Sequence, residues 1–177
     1  MKATRGTTIL GVRHKGKVVM GGDGQITFGE MVLKHKTSKI RKLYNDSILV
    51  GFAGGTADAL ALLDHFESRL EEHNGQLERA AHELARDWRT DRMLRRLEAM
   101  VVAMDSERSL LISGEGDLLT PDDEVISIGS GAAYATAAAR AYVDASKLGA
   151  AQIAKRSLMI AADMCIYTNT DIQILEL

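Results

Sequence analysis

A pair of threonines stands where the first apolar segment of the chain begins. Thr7 and Thr8 follow Gly6 and lead directly into Ile9 and Leu10. A threonine that becomes the first residue of a chain can attack a carbonyl with its hydroxyl, using its own α-amine as the base. Thr7 is therefore a candidate nucleophile of an N-terminal-nucleophile hydrolase. On these residues alone, a β-branched residue in an ordinary strand is the simpler alternative.

Such a nucleophile needs a cation beside its amine. An α-amine has a pKa of about 8, so at neutral pH much of it is protonated and cannot accept a proton. A nearby ammonium group disfavours that protonated form, and a carboxylate such as Asp23 could hold the ammonium in place. Four lysines qualify by type, and composition does not choose among Lys34, Lys36, Lys39 and Lys42.

The hydrophobic pattern predicts groups of strands separated by two helix pairs. Strand signals cover 7–12, 17–21, 47–53, 100–104, 110–113, 125–128 and 172–175, and helical periodicity covers segments beginning at Thr56, Leu77, Ala132 and Ala150. Strands that do not alternate regularly with helices favour antiparallel sheets covered by helices. The prediction is an α+β fold, a four-layer αββα sandwich, with a leader at residues 1–6 and a single domain at 7–177.

Composition excludes several classes of protein. The formal net charge is -2, 46% of residues are hydrophobic and there is one cysteine, Cys165. These values indicate a folded protein of a reducing compartment with no general attraction to nucleic acid. No secretion signal or spanning segment is evident, so we expect a cytoplasmic protein without a membrane partner.

Other motifs give weaker signals. The Gly129–Gly131 run could begin a dinucleotide-binding loop, but Tyr134 replaces the third glycine of that pattern. Ser130 could equally serve as the N-cap of the following helix. The arginines around Trp88 are interspersed with acidic residues, as on a solvated helix face. Histidine and cysteine spacing does not match a transition-metal site.

Several blocks of sequence together resemble the HslV (ClpQ) family of bacterial proteasome-like protease subunits. The blocks are Thr7–Ile9, Gly22–Gln25, Leu43–Asp46, Gly51–Asp58, Asp87–Arg92, Ile128–Gly131 and Cys165–Asn169. The similarity runs from Thr7 to the C-terminus. It implies the N-terminal-nucleophile fold of proteasome subunits, in agreement with the predicted layers, and a threonine endopeptidase activity.

The resemblance also implies roles for individual residues. Thr7 corresponds to the nucleophile, Lys39 to the lysine that tunes its amine, and Asp23 to the carboxylate beside them. Gly51 corresponds to the glycine whose N–H contributes to the oxyanion hole. Ser130 corresponds to the serine near the nucleophile. Because Thr7 is preceded by six residues, its nitrogen is an amide until the leader is removed, so the full chain is expected to be a precursor.

Expectations about ions and partners come from the same resemblance. Backbone carbonyls of Ala162, Cys165 and Thr168 would hold a sodium ion, with Ala162 replacing a glycine common in the family. The expected assembly is a dodecamer of two hexameric rings, activated by the HslU (ClpY) AAA+ ATPase hexamer and acting on unfolded polypeptides. This chain itself is not expected to bind ATP.

Three alternatives remain open at this point. The chain could be a catalytically silent ring that only binds the ATPase, which retention of the leader would favour. It could be a self-processing amidase of small molecules, which a monomeric or dimeric state would favour. A nucleotide-binding module based on Gly129–Gly131 is the third alternative.

Overall fold

The structure is a computed structural model that describes residues 4–5, 7–94 and 97–177. Most of the predicted leader, and Arg95 and Arg96 of the basic segment, lie outside the described residues. The strands are β1 (Thr4–Arg5), β2 (Thr8–His14), β3 (Lys17–Asp23), β4 (Ile26–Phe28), β5 (Met31–Lys34), β6 (Ile40–Leu43), β7 (Ile48–Gly54), β8 (Ala99–Met104), β9 (Ser109–Ile112), β10 (Leu118–Leu119), β11 (Val125–Gly129) and β12 (Ile172–Glu176). The helices are α1 (Thr56–Glu72), α2 (Leu77–Thr90), α3 (Ala132–Ala145) and α4 (Ala150–Met164).

Two antiparallel sheets face each other and carry a helix pair on each outer face, so the predicted αββα sandwich is confirmed. One sheet has the strand order β11-β2-β3-β12, and the other has the order β10-β9-β8-β7-β6. The small sheet β1-β4-β5 was not predicted. Its strands β4 and β5 are short, and all four residues of β5 are exposed, which removes the alternation that marks a half-buried strand.

The layer between the two large sheets is apolar. Ile9 and Met20 from the four-stranded sheet are fully buried there, together with Leu49 and Val102 from the five-stranded sheet. Side chains alternate between the faces of a strand, so the residues next to Ile9 and Met20 in sequence face the helices instead. Leu10 and Val19 accordingly lie in the layer beneath α3 and α4.

The outer layers differ in the side chains that fill them. Phe66 of α1 and Trp88 of α2 are fully buried against the five-stranded sheet. On the other face, small residues such as Ala135 and Ala154 allow α3 and α4 to approach the four-stranded sheet closely. The helix pairs therefore cover the outer faces of the two sheets, and the ends of the strands are not covered by them.

Candidate active site

The nucleophile candidate lies immediately before β2 and is held by the turn before α3. Thr7 is buried, and its carbonyl accepts a hydrogen bond of 2.9 Å from the N–H of Ser130. Gly129 has φ of +99°, and a Cβ atom at that position would lie 2.0 Å from the Thr7 oxygen. Only glycine fits this close approach. The structure thus brings Thr7 and Ser130 together.

Thr7 and Thr8 face opposite sides of the sheet. The Thr8 hydroxyl accepts a hydrogen bond of 2.9 Å from the Gly131 N–H and lies 2.6 Å from the Thr168 hydroxyl, on the α3 side. By strand alternation, Thr7 shares the face of Ile9, which lies between the sheets. The Thr8 hydroxyl therefore holds the strand against the Gly131 and Thr168 segments. Thr7 faces the layer between the two sheets.

A buried ion pair lies next to this strand end. Lys39 Nζ donates to Asp23 Oδ1 at 3.1 Å, and the Thr8 N–H donates to the same oxygen at 2.7 Å. The other carboxylate oxygen of Asp23 accepts N–H groups from Gln25 at 3.0 Å and Asn169 at 3.3 Å. Lys39 is 4% exposed and Asp23 is 1% exposed. Such burial is tolerated because each carboxylate oxygen has two donors.

Among the four lysines left open by the sequence, Lys39 is the one in this pair. Lys34 and Lys36 are exposed and Lys42 is half-buried in β6. Burial lowers the pKa of Lys39 below its ordinary value, and this effect exceeds the opposing attraction of Asp23, which raises the pKa. An ammonium held in such a position repels a second positive charge, so it lowers the pKa of an amine placed beside it.

The oxyanion role predicted for Gly51 stays a prediction, and the strand register of this residue does not favour it. Gly51 is in the middle of β7, paired with Ile40 on one side and Val102 on the other. Phe52 donates its N–H to Lys39 O, so by antiparallel alternation the Gly51 N–H is directed towards β8. A Cβ atom at Gly51 would lie 2.6 Å from Ile9, so this glycine instead allows the two sheets to pack.

The same alternation identifies Gly54 as a better placed donor. Gly54 is three residues further along β7, and its N–H is directed to the same side as that of Phe52, past the start of β6. It is exposed and has φ of +132°, a conformation that favours glycine. The resemblance at the Gly51–Asp58 block contains both glycines, and only the register of β7 separates their roles.

Ser130 does not cap α3. The N-cap is Gly131, and the Ser130 side chain is exposed beside Thr7. The alternative interpretation as a capping residue is therefore wrong. Its N–H fixes the Thr7 carbonyl, and its hydroxyl is a candidate for proton transfer.

The three residues predicted to hold sodium lie together at the C-terminal end of α4. The helix ends at Met164, so the Ala162 carbonyl is among the last four, which have no partner within the helix. The Cys165 carbonyl accepts the Thr168 N–H at 3.0 Å and retains a second lone pair. Carbonyl oxygens at the negative end of a helix dipole are the donor set expected for a monovalent cation. Over the described ranges, no group of three His, Cys, Asp or Glu side chains is arranged to hold a metal.

Two further residues contact the ion pair and were not assigned by sequence reasoning. Gln25 and Asn169 each donate a backbone N–H to Asp23. Their positions in the Gly22–Gln25 and Cys165–Asn169 blocks were the only signal. Because these two blocks are about 140 residues apart, only the fold shows that they meet.

Comparisons with known proteins identify the family and the fold. The sequence matches the proteasome subunit family over residues 3–177. It is 44% identical to the solved structure of eukaryotic HslV from Trypanosoma brucei, with a TM-score of 0.91, covering 96% of this chain and 98% of that one. Two structures of Thiobacillus denitrificans BPH, one in complex with epoxomicin, are 20% identical with TM-scores of 0.77 and 0.76; 96% of this chain and 97% of each of those are covered, and they show the fold alone. Within the described residues, no helix is long and apolar enough to cross a membrane.

Proposed function

The chain belongs to the proteasome subunit family, and we propose that it is the peptidase subunit of an ATP-dependent protease of the HslV type, with Thr7 as its N-terminal nucleophile. The observation that supports this most directly is the buried Asp23–Lys39 pair at the start of the strand that carries Thr7. Stability of the fold does not explain such a pair, since replacing a buried ion pair with packed apolar residues is often neutral or stabilising.

The reaction begins once the bond between Gly6 and Thr7 is cleaved. The Thr7 hydroxyl attacks the substrate carbonyl and its proton passes to the Thr7 α-amine, which Lys39 keeps neutral by repulsion. The Ser130 hydroxyl, exposed beside Thr7, supports this proton path. The N–H of Gly54 stabilises the negative oxygen of the tetrahedral intermediate.

Collapse of that intermediate releases the first product. The amine of the leaving peptide takes the proton from the Thr7 α-amine, and the acyl group remains as an ester on the threonine oxygen. Water then attacks the ester and gives its proton to the α-amine. The bond to the Thr7 oxygen breaks, the carboxylic acid product leaves, and the proton passes from the α-amine to that oxygen, which restores the free hydroxyl.

The pairing of the segment before Thr7 supports a way for an extended peptide to bind. Strand β1 pairs antiparallel with β4, with Thr4 opposite Phe28 and Arg5 opposite Thr27. Removal of residues 1–6 would leave the edge of β4 available for a peptide on the acyl side of the cleaved bond. Backbone pairing of this kind recognises an unfolded polypeptide with little dependence on its sequence.

Assembly and ion binding complete the proposal. The chain forms rings of the HslV type that stack into a dodecamer, and a hexameric AAA+ ATPase of the HslU type activates it and supplies unfolded substrates. Sodium bound by the carbonyls of Ala162, Cys165 and Thr168 would neutralise the C-terminal end of α4. This would stabilise the loop from which Thr168 contacts Thr8.

The test is hydrolysis of an unfolded polypeptide by the processed protein, with and without the ATPase and ATP. Wild type is compared with Thr7→Ala and with Thr120→Ala, a threonine remote from the site. We expect turnover that requires the ATPase, is absent in Thr7→Ala and is unchanged in Thr120→Ala. An assembled, processed ring without any turnover would refute the peptidase proposal and favour a silent scaffold.

A further inference from the structure

The glutamine that follows the glycine turn is buried and tied down by its side chain. Gln25 is 5% exposed. Its Nε2 donates to the Thr27 hydroxyl and to the carbonyl of Ile166, both at 2.9 Å. Ile166 lies in the segment between α4 and β12, so this side chain connects the segment after β3 to the segment after α4.

The backbone of the same residue contacts both members of the ion pair. The Gln25 carbonyl accepts a hydrogen bond of 2.5 Å from Lys39 Nζ, and the Gln25 N–H donates to Asp23 Oδ2 at 3.0 Å. A shift of this one peptide segment would therefore move the acceptor of the ammonium and a donor to the carboxylate together.

We propose that Gln25 is a positioning residue for Lys39: its side-chain bonds to Thr27 and Ile166 hold its own carbonyl against Lys39 Nζ, and so fix the ammonium beside the Thr7 amine. This inference rests on the proposed function, in which Lys39 tunes that amine. On the preceding side the segment is fixed by the Gly24 N–H, which donates to Asn169 Oδ1 at 3.2 Å. The two side-chain bonds of Gln25 supply the second anchor, at the residue whose carbonyl accepts from Lys39.

The consequence is an effect on the pH dependence as well as on the rate. A loosely held ammonium lies further from the Thr7 amine on average, so it lowers the pKa of that amine less. The neutral amine would then form only at higher pH. A residue that merely contributed to stability would leave this pKa unchanged.

The experiment uses the full chain, expressed, assembled and shown by intact mass to begin at Thr7. Gln25→Leu removes the side-chain donors at similar volume, and Thr27→Val removes one acceptor while keeping a β-branched shape. Gln152→Leu, at the first turn of α4, is the matched control. The pH profile of kcat for a peptide substrate is measured with the ATPase present. Competitive acetylation with acetic anhydride gives the pKa of the Thr7 amine without any turnover.

For Gln25→Leu we expect kcat to fall about 10- to 100-fold, less than the roughly 10²- to 10⁴-fold of a whole acid–base contribution because the ammonium is displaced and not removed. KM should change less than about two-fold, and the acid limb of the profile should move to higher pH. Thr27→Val should move the acid limb in the same direction by a smaller amount, and this variant provides the test if Gln25→Leu does not fold. Gln152→Leu should have the wild-type profile. An unshifted limb and unshifted amine pKa would overturn the inference, whereas a processed wild-type ring without turnover would instead refute the proposed function.

Discussion

Two buried regions of this protein are assembled on opposite principles. Around Trp88, the helices α1 and α2 and the five-stranded sheet enclose a cluster of apolar side chains such as Phe66 and Leu84. At the start of β2, equally buried side chains are polar, and Asp23 and Lys39 are held by hydrogen bonds from several segments. The first region stabilises the fold through the area it removes from water, and the second places a charge at one position.

This difference predicts that substitutions in the apolar cluster lower stability, whereas substitutions in the polar cluster lower activity. Truncating a large side chain in an apolar cluster costs the free energy of its burial and leaves distant geometry intact. Removing a member of the polar cluster alters the position or the charge of its partners. For each variant, activity per folded molecule and the free energy of unfolding are both measured, so that the two effects are distinguished.

The largest effect is expected at Lys39. Lys39→Met removes the ammonium and retains most of the side-chain volume, so we expect kcat to fall by about 10²- to 10⁴-fold, the range for loss of acid–base activation. The measurement is peptide hydrolysis by the processed ring. Lys42→Met, a half-buried lysine on the same strand region, is the matched control and should retain wild-type kcat. Wild-type activity in Lys39→Met would remove Lys39 from the mechanism.

At Trp88 we expect a loss of stability without a loss of activity. Trp88→Ala should lower the free energy of unfolding by about 3–5 kcal/mol, because it leaves a large cavity in a closely packed cluster. Trp88→Phe keeps an aromatic ring and should cost less. Denaturant unfolding measures both. At a temperature where the variants are folded, kcat per folded chain should be unchanged, and a specific loss of kcat would show that the two regions are coupled.

The two glycines of β7 sharpen the comparison within one strand. Gly54→Ala should lower kcat by about 10²- to 10³-fold, the usual cost of losing an oxyanion donor, since a Cβ there would displace the backbone from the Glu98 carbonyl. Gly51→Ala should instead lower stability, because its Cβ would meet Ile9 between the sheets. Steady-state kinetics and thermal unfolding of both variants test this, and a reversal of the two results would restore Gly51 as the donor.

The smallest effect concerns pH. In the proposed mechanism Lys39 must be protonated to act on the Thr7 amine. Burial lowers the pKa of Lys39 from 10.5, so activity should be lost on the alkaline side as pH rises through that lowered value. Between the folded pKa and 10.5 the unfolded chain binds more protons, so the contribution of Lys39 to the free energy of unfolding rises with pH over the same window. Unfolding curves and kcat measured across this range should therefore show opposite trends. Parallel trends would contradict this assignment of charge.

The extent to which sequence predicted these regions follows from the same contrast. The apolar stripes of α1 to α4 are periodic, and the strands β2, β3, β7, β8 and β11 are short apolar runs, so the layers could be predicted locally. Strand β6 was not predicted, because Arg41 and Lys42 occupy half of its four positions. Lys39 could not be chosen from the residues alone, since its selection depends on burial beside Asp23. The choice between Gly51 and Gly54 could not be made from the residues either, because only strand register shows where an N–H is directed.

The central claim, that Thr7 is the nucleophile, is tested most directly by trapping the acyl enzyme. Processed protein is treated with a peptide bearing an electrophilic C-terminus, and the modified residue is located by tandem mass spectrometry. We expect a single adduct on Thr7, absent in Thr7→Ala and still formed in a Ser130→Ala variant. An adduct on Ser130 or Cys165, or turnover that persists in Thr7→Ala, would contradict the account.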